Sequence, residues 1–128
     1  MSRSHPLVVW IPAVVWMVAI FVASAQPELP LQDHVPDYLS HSTAYLVLAV
    51  LWCRALARGG EATLRTALAA VVACTLYGVT DEWHQSFVPG RHSEARDVRN
   101  DALGATAGAL VYAGILATRR RRAASEAS

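Results

Sequence analysis

The stretch LVVWIPAVVWMVAIFVAS, Leu7–Ser24, runs for 18 residues without an Asp, Glu, Lys or Arg. A bilayer's hydrocarbon core of about 30 Å takes roughly 17–25 helical residues to cross. This stretch alone is therefore long enough to span. Outward from it, residues 38–53, 66–80 and 102–118 are equally free of charge. If Arg54 and Arg65 extend their guanidinium groups to the interface, the spans become about 38–57, 62–80 and 102–118. A backbone in lipid must satisfy its own hydrogen bonds, so each span is read as a helix.

Composition agrees. The chain of 128 residues is 54% hydrophobic and 16% charged, against roughly 45–50% and about 25% in soluble domains. This excludes a disordered chain, a nucleic-acid-binding domain with a basic face, and a multidomain enzyme. The expected fold is all-α: a single membrane domain over residues 1–128, an integral bundle of four transmembrane helices followed by a basic tail at 119–128. A soluble four-helix bundle competes, but its helices would carry a polar stripe, and ALAAVVACTLYG has none. A cleaved signal peptide is a second alternative, because Arg3 precedes the first stretch and Ala23-Ser24-Ala25 has the small-x-small form of a cleavage site. The Trp residues and the length of the apolar run favour a retained helix.

Positive residues stay in the cytoplasm. Arg3, Arg54, Arg58, Arg65 and Arg119 to Arg122 fall on one side, eight in all, against Arg91, Arg96 and Arg99 on the other. Both termini are therefore expected to be cytoplasmic. The first connection, with Glu28, Asp33 and Asp37, would face out. The RRRR run follows an apolar helix directly and reads as an anchor meeting anionic lipid, not as a nucleic-acid patch. Cys53 and Cys74 fall within helices and read as packing residues. The chain has no Lys, which removes any lysine nucleophile.

The chemistry is expected on the outer side, in YGVTDEWHQSFVPGRHSEARDVRNDALGATAG, Tyr77–Gly108. Asp81, Glu82 and Gln85 are three or four residues apart and share a helix sector. Asp97, Asp101, Gly104 and Gly108 form one stripe, in which the glycines allow close helix approach. The stripe serves either a neighbouring helix or a second copy of the chain. Asp97 reads as a first-turn acid on the helix dipole, whereas Asp101 lies a turn further in, where an unpaired carboxylate is costly. Asp37, His41 and Tyr45 make a matching stripe on the second helix. Three helix ends could thus line a shared pocket, with Arg91 in the Pro89-Gly90 turn as an anion clamp.

At these residues the chain resembles the VanZ-like family of bacterial membrane proteins. The pattern is DExHQxFxPGR followed by Dxx(N/A)DxxGxxxG, carried here by Asp81, Glu82, Gln85, Phe87, Pro89, Gly90, Arg91, Asp97, Asp101, Gly104 and Gly108. SAQP at Ser24–Pro27 and DYLSHSTAY at Asp37–Tyr45 add two shorter pieces. Tyr38 stands where the family has Lys, so no role for a cation there carries over. The resemblance implies a four-helix integral membrane protein of the bacterial cytoplasmic membrane and cell envelope, in a family named for a member associated with teicoplanin resistance. It implies no reaction.

Three functions stay open. In one, the polar cluster is a noncatalytic network, with Arg91 bridging acids, that holds the bundle and presents the loop to a ligand. In another, the protein is an enzyme acting on a lipid-linked or amphipathic envelope molecule: Arg91 would hold an anionic group, Glu82 or Asp81 would be general base, and His41 would relay a proton. Transport is the third and would require oligomerisation. No cofactor is called for. A divalent cation on Asp81, Asp97 and Asp101 is a variant, although their spacing fits no standard metal motif. Expected partners are the bilayer, a lipid-linked precursor or glycopeptide, and a second copy through Gly104 and Gly108, with no nucleic acid.

Overall fold

The computed structural model describes residues 6–27, 35–58 and 60–128. Arg3, Glu28 and Asp33, which entered the topology argument, lie outside these. The described chain forms four helices: α1 Ile11–Ser24, preceded by a 3-10 turn at Val8–Trp10, α2 Asp37–Ala57, α3 Leu64–Gln85 and α4 Ala95–Glu126. Three of them are long and apolar enough to cross a membrane, and Val8–Ser24 is a shorter apolar helix.

Local chemistry sets the boundaries. Pro12 sits in the first turn of α1, where its missing N–H is harmless. Pro36 caps α2 from an extended conformation, with Asp37 in the first turn. A reciprocal Thr63–Thr66 capping box delays the start of α3 to Leu64, two residues later than expected. At its other end α3 runs past Thr80 to Gln85, so Asp81, Glu82 and Gln85 belong to the helix and are buried. Helix α4 begins at Ala95, ahead of the uncharged span from Ala102, with Asp97 in its first turn as expected; Glu82 Oε2 accepts the Glu94 backbone N–H at 3.1 Å and fixes the preceding residue. At 1.5 Å per residue its 32 residues span about 48 Å, and the helix carries the RRRR run that was expected to form a tail.

Helix α2 is central. Its Tyr45, Leu48 and Ala49 pack with Ile20, Cys74 and Ala105, while Cys53 packs with Ala70, Ala109 and Tyr112. Both cysteines are free and buried. Gly104 and Gly108 lie directly on the Ser42 and Leu46 carbonyls, so that a Cβ at either would run into the α2 backbone. Of the two partners expected for the glycine stripe, α2 of the same chain is the one in contact with it. The outward faces are apolar: Val14, Val18, Leu68, Val72 and Leu76 are all about half or more exposed. A soluble bundle would put polar residues at those positions.

The two ends of the bundle differ in charge. Arg54 closes α2, Arg65 opens α3, and Arg119 to Arg122 lie near the end of α4. The Arg120–Glu61 ion pair, 2.8 Å, ties this basic end together. The acids gather at the opposite end.

Candidate functional site

At the acidic end, His41 Nδ1 donates to Asp101 Oδ1 at 2.9 Å, joining α2 to α4. Asp101 is fully buried. Its place is made by Gly78 on α3, where a Cβ would meet Asp101 Oδ2 at 2.6 Å. One turn outward, His41 Nε2 lies 3.9 Å from Asp37 Oδ1. Ser42 Oγ donates to the Asn100 carbonyl at 3.3 Å, which keeps the first turns of α2 and α4 in register with the glycine contact.

Helix α3 supplies the remaining acids. Gln85 Nε2 donates to Asp81 Oδ2 at 3.3 Å, and Glu82 spends one oxygen on the start of α4. The other oxygens stay without a partner: Asp81 Oδ1, Glu82 Oε1, Asp101 Oδ2 and the Tyr45 hydroxyl are all buried and unbonded among the described residues. A buried polar atom left unpaired costs about 1–3 kcal/mol, so four such atoms at one end of one bundle mark a place where packing alone did not shape the chain.

Arg91 was expected either to clamp an anion or to bridge acids. Its Nε donates to the Gln26 carbonyl at 2.9 Å and its Nη2 to the Ala23 carbonyl at 3.2 Å. A cation at the negative end of the α1 dipole is favourable, and the contact pins the Pro89-Gly90 turn to α1. Gly90, at φ 82, gives that turn a backbone shape that side-chain-bearing residues avoid. Among the described residues Arg91 forms no ion pair, which removes the acid-bridging role. Nη1 is not used in either bond.

Two cavities lie here. One, about 440 Å³, lies between α1, α2 and α3; its apolar wall includes Trp16, Ile20 and Ala44, and its polar wall includes His41, Tyr45 and Asp81. The second, about 480 Å³, lies between the start of α2, the 86–94 turn and the start of α4, and is lined by Tyr38, His92, Glu94, Arg96, Asp97 and Asn100. Asp37, Gln85 and Arg91 line both.

The expected residues therefore divide. Asp37, His41, Tyr45, Asp81, Gln85 and Arg91 face the inner chamber, and Asp97 faces the outer one. Glu82 and Asp101 line neither and stand behind His41. The cation trio of Asp81, Asp97 and Asp101 is replaced by two others whose donor atoms lie within 4.8 Å of one another: His41, Glu82 and Asp101, and Asp37, His41 and Asp97. Sequence reasoning passed over Gly78, Trp16 and Asn100. The signal for Gly78 was present, since it is a small residue three positions before Asp81 on the same helix. Trp16 gave none, because its role is to donate Nε1–H to the Ala44 carbonyl at 2.9 Å and hold α1 against the chamber.

The family model described as VanZ/LLP1 matches residues 9–117, which takes in α1 to α3, α4 as far as residue 117, and the lining of both cavities. No curated protein and no solved structure matches the chain.

Proposed function

Since the chain belongs to the VanZ/LLP1 family, we propose that it is a bacterial cytoplasmic-membrane protein that binds an amphipathic, anionic molecule of the cell envelope at its outer surface. One observation carries this reading: a cavity with an apolar wall lies next to a polar one, and Asp37, Gln85 and Arg91 line both. An acyl or prenyl chain suits the first and a charged head the second. Arg91 lines both with guanidinium N–H groups to spare, so the anionic group belongs beside it. The reading has four spans, with α1 as a short one, and both termini cytoplasmic, in keeping with the basic end of the bundle.

The test uses the untagged chain in phosphatidylcholine nanodiscs and a dodecyl phosphate that bears a diazirine at its tail. Photolabelling should concentrate on Trp16, Ile20 and Ala44 and be competed by dodecyl phosphate more strongly than by dodecanol. Even labelling of all outward faces, or equal competition by the alcohol, overturns the reading. The same proposal extends to glycopeptide tolerance: teicoplanin susceptibility of a host strain should rise when Arg91→Ala replaces the native chain at equal membrane abundance.

A catalytic reading is favoured by one further observation, the His41–Asp101 pair on the chamber wall. In this version His41 is the group that exchanges a proton with the ligand, Asp101 orients it, and Glu82 stands behind the pair, not as the base. Mass spectrometry of dodecyl phosphate before and after incubation with the protein tests it. A ligand recovered unchanged removes this version and leaves binding.

A further inference from the structure

We propose that His41, Glu82 and Asp101 form a site for one divalent transition-metal cation, set into the wall of the inner chamber. Their donor atoms lie within 4.8 Å of one another although they come from three different helices. His41 Nδ1 and Asp101 Oδ1 are 2.9 Å apart, which is the separation of two neighbouring ligands at right angles around a metal with bonds of about 2.0–2.1 Å. Small movements of the Glu82 side chain complete the set.

The second observation is independent of this clustering. Glu82 and Asp101 are 4% and 0% exposed, and Glu82 Oε1 and Asp101 Oδ2 have no partner. Glu82 is held from behind by the N–H at the start of α4, and Asp101 Oδ2 is lodged in the space at Gly78, while Asp101 Oδ1 is the oxygen turned to His41 Nδ1. Buried carboxylates placed so firmly and left half unbonded have oxygen lone pairs free to give to a cation.

Charge leads the same way. Asp37 and Asp97 lie near His41, and Asp81 and Asp97 near Asp101, at the ends of α2, α3 and α4. Of the three arginines at this end, Arg91 is bonded to carbonyls, Arg96 to the exposed Glu94, and Arg99 is in no ion pair among the described residues. A dication would offset the excess negative charge in a setting where unpaired charges are costly.

One imidazole nitrogen with two carboxylate oxygens suits Zn²⁺, Mn²⁺ or Fe²⁺ better than Mg²⁺ or Ca²⁺, which take oxygen ligands. Three protein ligands leave at least one coordination position open. Of the set His41 alone lines the chamber, and Glu82 and Asp101 stand behind it, so the site adjoins the chamber through the imidazole. The inference stands apart from the amphipath reading, because the metal is measured with no dodecyl phosphate present.

The experiment takes the untagged full chain in nanodiscs, strips it with EDTA, and titrates Mn²⁺ and Zn²⁺ alone. Bound metal is counted by mass spectrometry, and nitrogen coordination is read from the ¹⁴N modulation of the Mn²⁺ spin echo. One ion per chain with one histidine nitrogen is expected. His41→Gln should remove the ¹⁴N signal, and Glu82→Gln should weaken binding at least tenfold, while His92→Ala changes neither. Less than a fifth of an ion bound by the native chain overturns the site without recourse to any variant. Binding that survives both His41→Gln and Glu82→Gln also overturns it. If Glu82→Gln fails to fold, the native ¹⁴N signal and its loss in His41→Gln decide.

Discussion

His41 and Asp101 are 60 positions apart in the chain and 2.9 Å apart in the fold, and nearly every feature of the acidic end exists to bring them together. The glycine stripe draws α4 onto α2, Ser42 fixes the register against Asn100, and Gly78 clears the space on α3. Replacing Asp101 by Ala should leave the His41 Nδ1–H buried without an acceptor, at a cost of about 1–3 kcal/mol, whereas Asp101→Asn retains an acceptor oxygen and should lose less. Thermal unfolding of both variants in one detergent gives the order. Equal loss would mean that the charge of Asp101, and not its hydrogen bond, holds the helices.

The glycines of α4 give a paired prediction. Gly104→Ala would push a Cβ into the Ser42 backbone, where no flexible side chain can yield, and should destabilise by about 1–3 kcal/mol. Gly114→Ala meets nothing within 4 Å and should stabilise by about 0.5–1 kcal/mol, because alanine loses less backbone freedom in a helix. The difference in unfolding midpoint between the two variants is the measurement. Similar midpoints would show that α2 and α4 can separate freely at Ser42.

The bundle was legible because a bilayer imposes a length and excludes charge, so four gaps in the charge pattern located four helices. The ends of those helices were less legible. Asp81, Glu82 and Gln85 lie inside α3, and Asp97 and Asp101 inside α4, because each polar side chain is covered by another helix and not by lipid. Hydropathy records solvent preference and is blind to such covering. The membership of the site could be read from helical spacing, which put Asp37, His41 and Tyr45 on one face and Asp97 and Asp101 on another. Arg91 could not be placed in the same way, since its partners are the backbone carbonyls of Ala23 and Gln26, groups that every residue possesses.

Arg91 should accordingly resist its conservative replacement. Lysine supplies charge from a single point and cannot reach two carbonyls with a planar fork. Hydrogen exchange of the amides near the end of α1, residues 21–26, should quicken in both Arg91→Lys and Arg91→Ala, with the rest of α1 unchanged. Exchange that is unaltered in Arg91→Ala would mean that the turn is held to α1 by something other than this side chain.

Topology is tested by single cysteines in a background from which Cys53 and Cys74 are removed. A cysteine at Ser86, beyond the end of α3, should react with an impermeant maleimide in intact cells, and one at Ser125, near the end of α4, only after lysis. Reaction of the two in the reverse order would invert the bundle and place the cavities on the cytoplasmic side.

Gly78 offers the sharpest test of how the site is built, because it carries no functional group. An alanine there would bring a Cβ to 2.6 Å from Asp101 Oδ2, so the carboxylate must move or α3 must shift away from α4. Either response alters the His41–Asp101 hydrogen bond while leaving every polar residue in the chain. In protein labelled with ¹⁵N-histidine, Gly78→Ala should displace the ring nitrogen signals of His41, whereas Gly114→Ala, on the same bundle but in open space, should not. If the His41 signals hold still in Gly78→Ala, the space at residue 78 is incidental, and Asp101 owes its position to α2 and α4 alone.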